Sequence, residues 1–253
     1  MRVLVATAVL VERDAVAAAF APSAAREYAI PGATLSRVAP AGGGPLVFDL
    51  LAAGVGPAAA AAATAAALTA AALNEQTDEQ TDDRTSGPYD LVVSAGIGGG
   101  FQPEAPVGSL VLADEITAAD LGAETADGFV PVTELGFGAV THRPPESLVR
   151  AVAAVTGART GAVLTVNTVT GSAERAAELR RRHPRALAEA MEGFGVAEAA
   201  TAHGVPVLEL RAVSNPVGPR DRAAWRIGDA LAALTGAFGK LAPALESWNP
   251  HDR

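Results

Sequence analysis

Residues 3–8 (VLVATA) are apolar at odd and even positions alike, the pattern of a strand covered by helices on both faces. Similar runs recur at 46–53 and 89–95. Between them lie segments of helical period: 12–20, and then "AGVGPAAAAAATAAAL", whose Pro57 suits the first turn of a long alanine helix. Further strands are predicted at 109–117, 160–166 and 205–213. Further helices are predicted at 145–155, at 172–182 behind a Ser cap, at 189–203 in spite of Gly193 and Gly195, and at 221–241. This alternation predicts one α/β domain over 1–253, a three-layer α/β/α arrangement around a mixed, largely parallel twisted sheet. Ligands in such sheets bind at the carboxyl ends of the strands. Residues 74–88, "NEQTDEQTDDRTSGP", repeat EQTD and hold almost nothing to bury, so they read as a flexible acidic surface insertion.

Composition narrows the partners. Hydrophobic residues make up 49% of the 253-residue chain and aromatics only 4%, so the core is built from Ala, Val and Leu. Nineteen basic against 28 acidic residues give a net charge of −9, which argues against nucleic acid and against anionic membrane surfaces. The absence of cysteine excludes disulfides, thiolate nucleophiles and Cys-based zinc sites. The four histidines (His142, His183, His203, His251) have no ligand spacing, so no metal is expected. The opening run RVLVATAVLV is cut short by Glu12, Arg13 and Asp14 and reads as a buried strand rather than a signal sequence. A soluble, cytoplasmic protein is the expectation.

Five places could carry chemistry. "SAGIGGGF" (94–101) ends a strand in a glycine cluster, either a tight turn or a place where backbone approaches a ligand, with Gly96 and Gly98 at its centre. It is neither a dinucleotide fingerprint nor a P-loop. Glu192 in "AMEGFG" is either a solvated acid favoured by a helix N-terminus or a functional carboxylate. Glu12, directly after the first strand, allows the same two readings. Arg211 lies within the apolar run "VPVLELRAVS", where a buried guanidinium is costly unless paired. A pair with Glu209 does not account for it fully, and a functional arginine is favoured. Asn215 then stands at the strand's mouth in "RAVSNPVGPRD", biased to an extended conformation by Pro216.

In this order the segments resemble the nucleoside phosphorylase/nucleosidase superfamily over nearly the whole chain. The carriers are the first strand with Glu12, "AGVGPAAAAAAT", "SAGIGGGF…APVGSLVLADE", "NTVTGSAER" and "AMEGFGVAEAATAHGVPVLELRAVSN". Within it the chain is similar to methylthioadenosine/adenosylhomocysteine nucleosidases and, through "SNPVGPRD", nearer still to futalosine hydrolases. The resemblance implies that Glu12, Glu192 and Arg211 organise a nucleophilic water and the ribose hydroxyls, with Met191 under the ribose. It places Thr168 where adenine-specific relatives have a stacking aromatic. It places Asn215 where they have an Asp that protonates adenine.

An amide at 215 carries information. Hypoxanthine presents an acceptor oxygen where adenine presents a donor amine, and an amide NH₂ can donate to O6 or N7. A mismatched buried polar pair costs about 1–3 kcal/mol. The implied activity is therefore hydrolysis of the N-ribosyl bond of futalosine, releasing hypoxanthine, a step of menaquinone biosynthesis, with no metal or organic cofactor. Asp221 is a candidate proton source, and the substrate's aromatic carboxylate could meet an arginine such as Arg220. A water nucleophile is preferred over phosphate because "LVVSAG" is apolar where one phosphorylase branch has an arginine, and Glu12 would repel phosphate. The alternatives are an inosine-type nucleosidase or phosphorylase and a non-catalytic purine-binding domain. A homo-oligomer, dimer or larger, is implied by the resemblance alone.

Overall fold

The computed structural model describes residues 1–20, 25–41, 44–77 and 87–248. In chain order the elements are β1 (Arg2–Thr7), α1 (Leu10–Ala18), β2 (Arg26–Ile30), β3 (Ala33–Val38), β4 (Val47–Ala52), α2 (Pro57–Thr77), β5 (Leu91–Gly100) and β6 (Leu110–Ala118). They continue as β7 (Gly122–Thr125), β8 (Gly128–Pro131), β9 (Thr141–His142), α3 (Glu146–Thr156), β10 (Arg159–Thr165), α4 (Ala173–Arg182), β11 (Ala186–Ala190), α5 (Gly193–Ala202), β12 (Val207–Pro216) and α6 (Ile227–Ser247).

One sheet of ten strands organises them in the order β11-β10-β6-β12-β5-β1-β4-β3-β2, with β9 on β6. β1 lies parallel between β4 and β5, β12 runs parallel to β5, and β10 runs parallel to both β6 and β11. The pairings β12–β6, β2–β3, β3–β4 and β11–β5 are antiparallel, so the sheet is mixed more evenly than its sequence suggests. The β11–β5 pairing closes five strands into a ring, because β5 is long enough to serve β1 and β12 along its length and β11 at its end.

Two apolar layers flank the sheet. On one side α6 lays a stripe of Leu234, Phe238, Leu241 and Leu245, all inaccessible, beside Val16 of α1 and Leu148 and Val152 of α3. Each such side chain contributes about 1.5–3 kcal/mol by leaving water. On the other side α2 and α5 pack through Ala60, Ala67, Leu68, Val196 and Ala200. A Cβ at Gly195 would stand 2.0 Å from the Pro57 carbonyl oxygen, so the two helices meet at backbone distance. That contact is why an alanine helix and a glycine-bearing helix belong together.

Several elements differ from their sequence-based expectation. The stretch 189–203 is not one helix: Ala186–Ala190 is a strand, and the helix begins at Gly193. Alanine's helical preference yields there because β10 and β5 offer hydrogen-bonding partners on both edges. Strand β5 runs on through the glycine cluster instead of ending in a loop. Asp221–Leu241 is likewise divided: Asp221 caps a short 3-10 turn (Arg222–Ala224), and α6 starts at Ile227. Of the acidic stretch 74–88, residues 74–77 end α2, while 78–86 lie outside the described residues.

Candidate active site

The carboxyl ends of β1, β5, β11 and β12 open into a cavity of about 380 Å³. Its acidic side is built first by local chain geometry. Glu12 sits in the first turn of α1, and its Oε2 accepts the N–H groups of Ala8 (3.0 Å) and Val9 (3.3 Å). Its Oε1 accepts the Ile97 N–H at 2.9 Å, which ties β1's exit to β5. Glu12 is thus both the helix-capping acid and a cavity wall, 3% exposed.

Glu192 is the N-cap residue of α5, yet its side chain does not cap that helix. Its Oε1 instead accepts the Gly56 N–H at 3.2 Å, and its Oε2 accepts the Met191 N–H at 3.3 Å and lies 3.4 Å from Arg211 Nη1. Arg211 is 1% exposed and forms the floor beneath these acids. Its Nε donates to Glu209 Oε1 at 2.9 Å and its Nη2 to Ser94 Oγ at 2.9 Å. Complete burial opposes its charge, but Glu209, Glu192 and Glu12 more than offset that and hold its pKa above the ordinary arginine value. Burial pushes the Glu209 carboxyl up, and Arg211 works against that shift.

Glu209 and Arg211, two apart on β12, therefore do share one buried polar face, and Glu209 is the positioning partner of the arginine. Among the described residues Arg211 Nη1 has no hydrogen-bond partner. A Cβ at Gly96 would lie 2.7 Å from Glu12 Oε1 and 2.8 Å from that Nη1. Glycine at 96 is what lets the acid and the guanidinium converge, whereas Gly98 itself lines the cavity.

The other side is built by the end of β12. The register with β5 shifts between Val213 and Asn215, and this irregularity brings Asn215 opposite Gly99. Ser214 Oγ donates to Asn215 Oδ1 at 2.8 Å, and Asn215 Nδ2 donates to the Pro216 carbonyl at 2.9 Å. The amide is oriented by these two bonds and keeps a second N–H for a ligand. Met191 lines the cavity between the two sides.

The structure thus brings together Glu12, Glu192, Arg211, Gly96, Gly98, Met191 and Asn215. Two candidates fall elsewhere. Thr168 is exposed, and Val169 and Thr170 face the cavity instead. Asp221 is also exposed and accepts the Ala223 N–H at 3.1 Å as a cap, outside the cavity lining.

Sequence reasoning passed over Glu189 and Trp225. Glu189 is 5% exposed and lines the cavity, and its signal was its spacing: in a strand, 189 and 191 share a face, which a helical reading hides. Trp225 lies under Arg220, whose guanidinium carbon stands 5.2 Å from the ring centre, and both line the cavity.

The family described as the Phosphorylase superfamily matches residues 20–244. The chain belongs to that superfamily. It is 74% identical over all 253 residues, 100% of both chains, to a futalosine hydrolase of Streptomyces coelicolor. A futalosine hydrolase of Acidothermus cellulolyticus is 47% identical over 161 residues, covering 62% of this chain and 66% of its own. The native structure of futalosine hydrolase of Helicobacter pylori shares the superfamily fold, with a TM-score of 0.76 at 17% identity over 96% of this chain and 97% of its own. This superfamily member therefore carries its polar groups at the strand ends of a shared scaffold. Among its described residues no helix is long and apolar enough to cross a membrane.

Proposed function

We propose that the chain hydrolyses the N-ribosyl bond of futalosine to hypoxanthine and dehypoxanthine futalosine, a step of menaquinone biosynthesis. The observation that carries this reading is one cavity with Glu12 and Glu192 converging over Arg211 on one side and an oriented amide, Asn215, on the other. Full-length identity of 74% to a futalosine hydrolase supports the choice of substrate.

In this reading the ribose sits against Met191 with its C1′ near the two acids. As the C1′–N9 bond breaks, positive charge grows on the sugar, and the carboxylates of Glu12 and Glu192 stabilise it. A water held between them adds its oxygen to C1′ and passes its proton to one carboxylate. The electron pair of the broken bond stays on the purine, where Asn215 donates to O6 or N7; the purine anion then takes up a proton from solvent and the carboxylate returns the one it received, so that neutral hypoxanthine leaves. Arg211 holds the acids in place from below and stays charged throughout.

Charge favours water over phosphate. Among the described residues Arg220 is the only basic side chain lining the cavity, against Glu12, Glu189 and Glu192, and Arg211 is committed to Glu209 and Ser94. Arg220, resting on Trp225 at the mouth, is the group suited to the substrate's aromatic carboxylate. Incubation with futalosine and with inosine, with and without phosphate, tests the whole reading by chromatography of the base. Hypoxanthine should appear from futalosine without phosphate, with futalosine preferred, and Arg220→Ala should narrow that preference roughly tenfold through KM. Release that depends on phosphate, or binding with no turnover, overturns it.

The same reading includes a homo-oligomer. Val9 and Val55 line the cavity and are exposed, and Leu10 and Val11 continue the apolar surface beside them at 58% and 55% exposure. Light scattering at micromolar concentration should give a dimer or larger; a monomer removes this part.

A further inference from the structure

The mechanism above leaves one buried acid of the cavity unused. Glu189, on β11, is 5% exposed, and its carboxyl is held by Thr170: the backbone N–H donates to Oε1 at 2.8 Å and the hydroxyl donates to Oε2. Both oxygens keep a lone pair beyond these bonds. A carboxylate buried at the wall of a cavity is costly unless something there uses it.

Its position in the sheet sets it across from the amide. Gly99 of β5 pairs with Asn215 of β12 on one edge and with Glu189 of β11 on the other. The amide and the carboxyl therefore flank a single glycine, their backbones two strand spacings apart, roughly 10 Å. Between them the cavity is lined by Gly99 and the apolar side chain of Val217. A Cβ at Gly99 would stand 3.4 Å from Asn215 Nδ2 and 2.9 Å from Val217 Cγ2, so glycine at 99 is what lets the amide and Val217 close in against β5 at the cavity wall. A flat bicyclic base fits such a slot, with polar groups at both ends.

The two ends differ chemically. Asn215 offers an N–H; Glu189, with its Thr170 donors already in place, offers acceptor lone pairs. A 6-oxopurine carries an acceptor at O6 or N7 and a donor at N1–H. A 6-aminopurine has a bare lone pair at N1, which a carboxylate repels. We infer that Glu189 is a specificity-determining residue that accepts the N1–H of a 6-oxopurine, reading the base together with Asn215 across Gly99. This rests on the proposed function for the identity of the site. It assigns the discrimination to two groups on different strands instead of to Asn215 alone.

Binding of free hypoxanthine and free adenine, measured by calorimetry, tests this without turnover. Wild type should prefer hypoxanthine. Glu189→Gln keeps the shape and can still accept from Thr170, but presents an NH₂ to the base. It should weaken hypoxanthine by about 10- to 100-fold and leave adenine unchanged or tighter. Thr170→Val removes one of the two donors that hold the carboxyl, and should weaken hypoxanthine by a smaller factor while leaving adenine unchanged. If Glu189→Gln weakens both bases equally, Glu189 is a structural clamp and the inference fails. It also fails if the variant changes neither, or if wild type binds neither base. Wild type that prefers hypoxanthine but leaves futalosine intact would remove the proposed hydrolysis while the variants still decide the role of Glu189.

Discussion

Glu192→Gln is expected to lower kcat for hypoxanthine release from futalosine by about a thousandfold or more, with the fold intact. The magnitude combines the usual worth of a positioned base, about 10²–10⁴, with that of charge opposite a developing cation, about 10²–10³. Glutamine has nearly the same shape and can still accept the Gly56 N–H through its oxygen. Its NH₂ would then face Arg211 Nη1, donor against donor, where the carboxylate now lies at 3.4 Å. Single-turnover assays and a thermal melt separate the effects: turnover should collapse while the melting temperature moves by a few degrees. Activity within tenfold of wild type would show that the residue only shapes the cavity and would leave Glu12 as the working acid.

Arg211→Met is expected to damage stability as well as activity. Glu209 is fully inaccessible, and among the described residues one of its oxygens has no hydrogen-bond partner and its single ion-pair partner is Arg211. Removing the guanidinium leaves a buried, uncompensated carboxylate, at a cost of about 3–5 kcal/mol. That is a large part of the 5–15 kcal/mol by which domains are typically stable. The double variant Arg211→Met with Glu209→Leu removes both charges and should recover most of the loss in urea denaturation. It should stay inactive, because Glu12 and Glu192 would face each other with no cation below them. A single variant that unfolds at the wild-type urea concentration would show that Glu209 is neutral in the folded protein and that the pair carries no such energy.

Much of the fold was legible because burial writes itself into composition. β1, β4 and β10 are apolar on both faces, as strands between helix layers must be, and Pro57 with its alanine run announces α2. The hairpin of β2 and β3 was missed because Arg26–Ile30 and Ala33–Val38 are half exposed and carry no buried run. The end of β11, Glu189 and Ala190, falls in the helix expected over 189–203, because ALAEA is made of helix formers. Only the neighbouring strands, which supply hydrogen bonds on both edges, extend it.

The site divides the same way. Composition and spacing along the chain dictate the kind of groups available: two acids, an arginine too costly to bury without partners, and an amide fixed before a proline. They also dictate the order of strands and helices that delivers them to one end of a sheet. Which of these groups meet depends on the packing of the folded chain. Gly96, with no side chain, admits Glu12 and Arg211 to the same space. The β12 irregularity sets Asn215 against Gly99, and the ring closure sets Glu189 on that glycine's other edge. That packing also left Thr168 and Asp221 in solvent. Spacing along a chain fixes direction only within one element; distances between elements depend on register and on where a missing Cβ lets backbones approach.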